Sequence, residues 1–154
     1  MGVNLYMDRF NPGTWTLQYV KNNESDCSNV LLSTLNVAKD FLSERNYNSA
    51  ANAFTNVIIG LEMLSQFWPE HYLPPLYANY FALGKVLAFG LHQADYAKVA
   101  FQNACDFAKK LGTEKARRDL QVMTEILNDF KRGRSLSAIE AEFGSSFPFD
   151  ILNE

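Results

Sequence analysis

Two histidines and two cysteines in 154 residues leave little room for metal or nucleophilic chemistry. His71 and His92 lie in different segments, and no Cys-x-x-Cys or His-Glu-x-x-His spacing exists to gather metal ligands. No metal and no cofactor is therefore expected. No glycine-rich loop follows a strand, so no phosphate cradle is visible. Glu140 and Glu142 are two apart, point to different helix faces and make no paired-carboxylate site. The expectation is a protein that is not an enzyme. His71, in a proline-rich turn, and His92, near a helix end, read first as solvated or capping residues. Cys27 and Cys105 show no short pairing pattern. They fit a reducing compartment and read as small apolar side chains packed on helical faces.

The sequence also has no apolar run approaching the ~20 residues that span a bilayer, and its start lacks the plan of a signal peptide. "MGVNLY" has the Gly2 of a myristoylation site, but Tyr6 stands where Ser or Thr is wanted. A cytoplasmic location is the expectation. Hydrophobic residues at 47% and charged residues at 20% argue for a folded chain of one-domain size. The net charge of −3 makes the whole chain no footprint for nucleic acid or an anionic membrane. Charge is uneven, however: eight of the fourteen Lys and Arg fall between 109 and 134, with only four acids beside them.

What the chain does have is helical spacing, almost unbroken from Ser25. A first helix over 28–44 carries Leu31, Leu35, Ala38 and Phe41 on one stripe. Asn46 or Asn48 can cap a second, reaching 66, with Ala50, Phe54, Val57, Leu61 and Leu64 in register. "WPEHYLPP" then breaks the chain, and a third helix opens at the proline pair and runs to 93. Asp95 can cap a fourth that ends at Gly112, and Thr113 a fifth that is stopped by Gly133. "SLSAIEAEFG" is a short sixth, where Ser137 and Glu140 have capping-box spacing. The first 24 residues form an arm. "TWTLQYV" alternates, but an unpaired strand does not stand alone, so the arm reads as extended chain or one short helix packed over the first pair by its aromatics.

Small residues recur at helix starts. The pair 31–64 resembles a tetratricopeptide repeat (TPR). Val37 and Ala38 with Phe41 fit its first helix, and Tyr47, Ala50 and Phe54 its second. Arg45 replaces the usual turn glycine, and Val57 stands where alanine is expected. A looser copy over 82–111 has Leu87 and Ala88, Leu91, Tyr96, Ala100, Ala104 and Phe107. Ala50 and Ala100 are separated by more than the family's period of about 34 residues, which longer helices and the proline-rich connector absorb. In a third, Gly133 and Ala138 fit but Glu142 does not, as in a terminal cap. The resemblance covers roughly 28–143. It implies an all-α fold, with antiparallel helix pairs stacked as a short right-handed superhelix. The domain plan is an arm at 1–24, the repeat domain at 25–143 and an apolar tail at 144–154.

The resemblance also implies a function: an adaptor that binds a peptide or helix of a partner on a concave face. The family's outward-facing positions fall here on Asn36, Lys39, Lys85, Phe89 and His92, with Arg117 and Gln121 from the fifth helix. Lysines with an asparagine suit an acidic peptide. The same side chains are equally readable as a solvated surface. One alternative is a structural or regulatory subunit docking through its termini; another is nucleic-acid binding through the basic 109–134 region. "RGRSLSAIEAEFGSS" resembles the first helix and turn of a helix-turn-helix, but the last eight residues, interrupted by Pro148, are too few for a recognition helix. The tail "SSFPFDILNE" carries Phe147, Phe149, Ile151 and Leu152. It is expected to pack on the helices or in the groove of a second molecule, giving a homodimer.

Overall fold

The structure, a computed structural model, describes residues 7–143 apart from the side chains of Glu140 and Phe143. The myristoylation-like start and the apolar tail lie outside the described residues. Seven α-helices follow a single 3-10 turn at Pro12–Thr14. They are α1 (Leu17–Asn22), α2 (Glu24–Ser43), α3 (Tyr47–Phe67), α4 (Pro69–Lys85), α5 (Ala94–Leu111), α6 (Glu114–Lys131) and α7 (Leu136–Phe143). A π-turn, Val86–Gly90, continues α4. No strand occurs among the described residues, so the all-α class is observed.

Short polar side chains start several of these helices by accepting an otherwise unmatched backbone N–H. Asn46 Oδ1 accepts from Ser49 N, and Thr113 Oγ1 from Ala116 N at 3.1 Å. The stops are equally local. Gly112 ends α5 and Gly133 follows α6, both with left-handed backbone. The α2–α3 turn uses the same geometry without glycine. Asn46 N–H donates to the Phe41 carbonyl and Arg45 N–H to that of Leu42, with Arg45 at φ 59°. This double bond is the Schellman arrangement. The position where the repeat pattern wants glycine thus has glycine-like geometry and carries arginine.

Consecutive helices pack antiparallel. Phe81 of α4 meets Phe101 of α5 with ring centroids 4.9 Å apart, while Tyr80 stacks on Phe107 at 5.5 Å. Phe101 in turn meets Phe130 of α6 edge-on at 5.6 Å. Small residues set the close approaches. A Cβ at Gly60 would lie 2.5 Å from the Leu31 side chain, and one at Gly84 2.5 Å from the Phe101 ring. Ala38, Ala50, Ala51, Ala53 and Phe54 share one cluster with Ala82 and Val86, flanked by Phe41 and Tyr47. The alanines at the start of α3 therefore face α2 on one side and α4 on the other. Two phenol–carboxylate hydrogen bonds tie the stack across helices: Tyr80 to Glu62, and Tyr77 to Asp119 at 2.6 Å.

Several boundaries differ from the sequence reading. In the stretch 68–75 only Trp68 breaks the chain, and the third helix opens at Pro69, before the proline pair. Pro69 occupies the first turn, where no N–H is needed, and Pro74 and Pro75 sit inside α4. The carbonyls they leave unmatched belong to Glu70 and His71, both exposed, so water can serve them. Burial of Tyr72, Leu73, Leu76 and Tyr77 holds the helix in spite of the two missing bonds. Helix α2 begins at Glu24, four residues early, covering Cys27. Helix α5 starts at Ala94, with Gln93 in place of Asp95 at the cap and no side-chain bond. Ser135, not Ser137, caps α7, accepting from Ala138 N at 3.2 Å. The arm takes the short-helix form: Thr16 caps α1 through Tyr19 N. Trp15 and Val20 join the cluster of Cys27, Leu31 and Ile58, so residues 15–20 complete the core of the first pair.

Two expected outcomes follow from this packing. Arg45→Gly should raise stability by about 0.5–1 kcal/mol in urea denaturation, because glycine adopts the left-handed conformation without the Cβ clash; a loss would show that the arginine side chain stabilises the turn. Burial, then the bond to a carboxylate, raises the pKa of Tyr77 and of Tyr80 above the ordinary 10.0, and burial lifts Cys27 from 9.0 to about 11. Each folded pKa exceeds its unfolded value, so the associated stability is intact at neutral pH and is lost as pH climbs from about 9 upward. The double variant Tyr77→Phe, Tyr80→Phe, though less stable at pH 7, should show a shallower decline between pH 10 and 12. An equally steep decline would place the alkaline sensitivity elsewhere.

Candidate functional site

Because α2 and α4 each run antiparallel to α3, they lie parallel to one another with α3 beneath them. Two clefts occupy the seam. One, of about 370 Å³, is lined by Leu42 of α2, Tyr47 and Phe54 of α3, and Ala82, Lys85, Val86 and Phe89 of α4 and its π-turn. The second, of about 270 Å³, is lined by Ser28, Leu31, Leu32 and Leu35 of α2, Val57 and Leu61 of α3, and His71, Tyr72, Pro75 and Asn79 of α4. The lining residues advance along α2 and α4 from the second cleft to the first and run backward along α3. The clefts therefore lie one after the other along a single seam. From Ser28 to Leu42 it extends roughly 20 Å, by the rise of a helix.

Tight local geometry shapes the Lys85 end. The π-turn is closed by Leu91 N–H donating to the Val86 carbonyl, five residues back, which re-aims the last turn and leaves Val86 and Phe89 on the cleft. Such bulges often occur at functional sites. A Cβ at Gly90 would collide with the Tyr47 ring, so the tyrosine wall of the cleft can lie against backbone only because residue 90 is glycine.

The structure brings some of the sequence candidates together. Lys85 and Phe89 line the larger cleft. Lys39 is four residues from Leu35 and three from Leu42, on the stripe of α2 that borders both clefts, and Asn36 is exposed one turn before it. His92 lines neither cleft. It is exposed, with left-handed backbone at φ 53°, and the next residue's N–H donates to the Leu87 carbonyl at 2.8 Å; its place is a helix stop. Arg117 and Gln121 are exposed on α6 and also line neither cleft. Arg117 turns back to donate to the Gly112 carbonyl at 3.2 Å, serving the end of α5.

Sequence reasoning missed Leu32, Leu42, Tyr47 and Asn79. Leu32 is 57% exposed and Phe89 38%, so apolar groups stand open at both ends of the seam. Asn79 is 4% exposed. Its Nδ2 donates to the Pro75 carbonyl at 2.8 Å, which settles the amide orientation, and no protein group among the described residues donates to its buried Oδ1. A lone amide on the apolar stripe of α4 was the available signal.

Elsewhere the ionisable groups are arranged structurally. Lys115 pairs with Asp119 at 2.8 Å, Asp129 receives Arg132 and Arg134, and Arg134 also reaches Glu142 at 2.5 Å. Three basic side chains of the 109–134 stretch, Lys115, Arg132 and Arg134, are thus matched locally. Burial raises the thiol pKa of both Cys27 and Cys105, the opposite of an activated nucleophile. No group of three metal-ligating side chains occurs among the described residues, and no helix there is long and apolar enough to cross a membrane. No protein-family model, curated protein or solved structure matches the chain.

The buried, unmatched Asn79 oxygen destabilises the free protein, since it has given up water without a protein donor. Asn79→Leu should therefore raise stability by about 1 kcal/mol in urea denaturation. A loss of that size would mean that the oxygen is satisfied in solution.

Proposed function

We propose that the protein is an interaction adaptor that holds an extended or helical segment of a partner protein in the α2–α4 groove. In this reading α2 with α3 and α4 with α5 are successive repeat-like pairs of the tetratricopeptide kind, stacked in a short right-handed superhelix, and the groove is their concave face. The observation that carries it is the pair of aligned clefts, with an apolar floor from Phe54, Val57 and Leu61 and exposed Leu32 and Phe89 at the ends. A groove roughly 20 Å long matches about six residues of extended chain. Apolar lining with few polar groups is the usual character of a peptide-recognition groove. Lys85 lines the larger cleft, and Lys39 lies on the stripe of α2 that borders it. The basic 109–134 region, three of whose side chains are matched by Asp119, Asp129 and Glu142, has no part in this proposal.

The test is selection of random displayed peptides on the purified protein, followed by affinity measurement on variants. Phe89→Glu combined with Lys85→Glu should weaken the selected peptides about tenfold or more while leaving the Tm within a few degrees of the parent. Unchanged affinity in the folded double variant would move the interface away from the groove.

A further inference from the structure

The smaller cleft has a chemistry that restricts what can fill it. Its walls are Leu31, Leu32, Leu35, Val57, Leu61 and Pro75. Among its polar members, the Tyr72 phenol lies beside the side chains of Ser28 and Glu24, and the His71 ring stands edge-on to Tyr72 with centroids 4.7 Å apart. Asn79 is the buried polar side chain: its Oδ1 has no protein donor among the described residues, while its Nδ2 donates to the Pro75 carbonyl. The slot thus offers a largely apolar lining and, in Asn79 Oδ1, a buried acceptor without a protein donor among the described residues.

We propose that this slot is an anchor pocket for a tryptophan side chain of the partner segment, with the indole N–H donating to Asn79 Oδ1. The inference rests on the groove reading above and names its ligand chemistry. An indole N–H donates and does not accept, so it meets a lone acceptor without bringing lone pairs of its own, as a serine, threonine or tyrosine hydroxyl would. A lysine or arginine would meet the acceptor only by losing water from a charge in apolar surroundings. The cleft volume of about 270 Å³ suits a bicyclic ring, and tryptophan is prominent among the side chains that anchor interfaces in such pockets. The oxygen is buried, so entry of the ring requires the lining, which includes exposed Leu32 and half-buried Leu35, to open.

The experiment uses N-acetyl-tryptophanamide and its 1-methylindole counterpart as probes on the isotope-labelled full chain, followed by NMR. The indole should shift the Leu31, Leu35 and Val57 methyl signals and the Asn79 side-chain amide, and methylation of the ring nitrogen should weaken binding about tenfold. In Asn79→Ala the two probes should bind alike. Equal binding of both probes to the parent protein, or shifts confined to other regions, would overturn the anchor without needing any variant to fold. The displayed-peptide selection separates this inference from the reading beneath it. Peptides that lose affinity in the Phe89→Glu, Lys85→Glu variant yet contain no tryptophan overturn the anchor alone. Peptides indifferent to that variant overturn the groove.

Discussion

Helix α4 is packed against α3 on one side and α5 on the other, and the rest of the chain is arranged around that double burial. Tyr77, Leu76 and Phe81 are almost wholly removed from water, and together they contribute several kcal/mol of apolar burial. Gly84 admits the Phe101 ring to the backbone. The same helix tolerates two internal prolines because its exposed first turns pass the missing hydrogen bonds to solvent. With α4 fixed, α2 is held parallel to it across α3, and the seam between them follows from the geometry.

Under the proposed function, stability and recognition make opposite demands at this seam. An interior free of unmatched polar atoms would place an apolar residue at 79, and a fully covered surface would leave neither Leu32 nor Phe89 open. The chain keeps all three. Local departures from ideal geometry cluster at the other end of the groove, where the π-turn, Gly90 beneath Tyr47 and left-handed His92 fall within six residues of one another. Residues that resist the requirements of a quiet core are the physical ground for reading this seam as a site.

Much of the helical architecture was legible because its signals are local. Apolar residues at steps of three and four gave the order of the main helices. Thr113, Gly112 and Gly133 acted where capping chemistry places them, and Asn46 proved the better of two candidate caps. The proline-rich stretch misled because proline's effect on a helix depends on which carbonyls lose their partners. Those carbonyls are exposed here, a fact of burial. The alternation around Trp15 left extended chain and one short helix both open, because alternation describes only which side chains are apolar; the core of α2 and α3 took Val20 from a short helix and Trp15 from the turn before it.

Candidate residues separated along the same line. Lys85 and Phe89 came from helix register and line the larger cleft, whereas Asn36 and Lys39, from the same register, line neither cleft and lie on α2 near its bordering stripe. His92 and Arg117 came from the same pattern, but an extra residue in the π-turn and the end of α5 gave them structural work. The sequence by itself determined the helices, most of their caps and stops, the scarcity of metal-ligating side chains and the small residues that permit close packing, since each depends on a few neighbouring side chains. Only the tertiary structure decided that Leu32, Leu42, Tyr47 and Asn79 share one seam and that the Asn79 oxygen has no protein donor among the described residues. Burial and partnership across helices depend on residues tens of positions apart, and no local pattern carries that information.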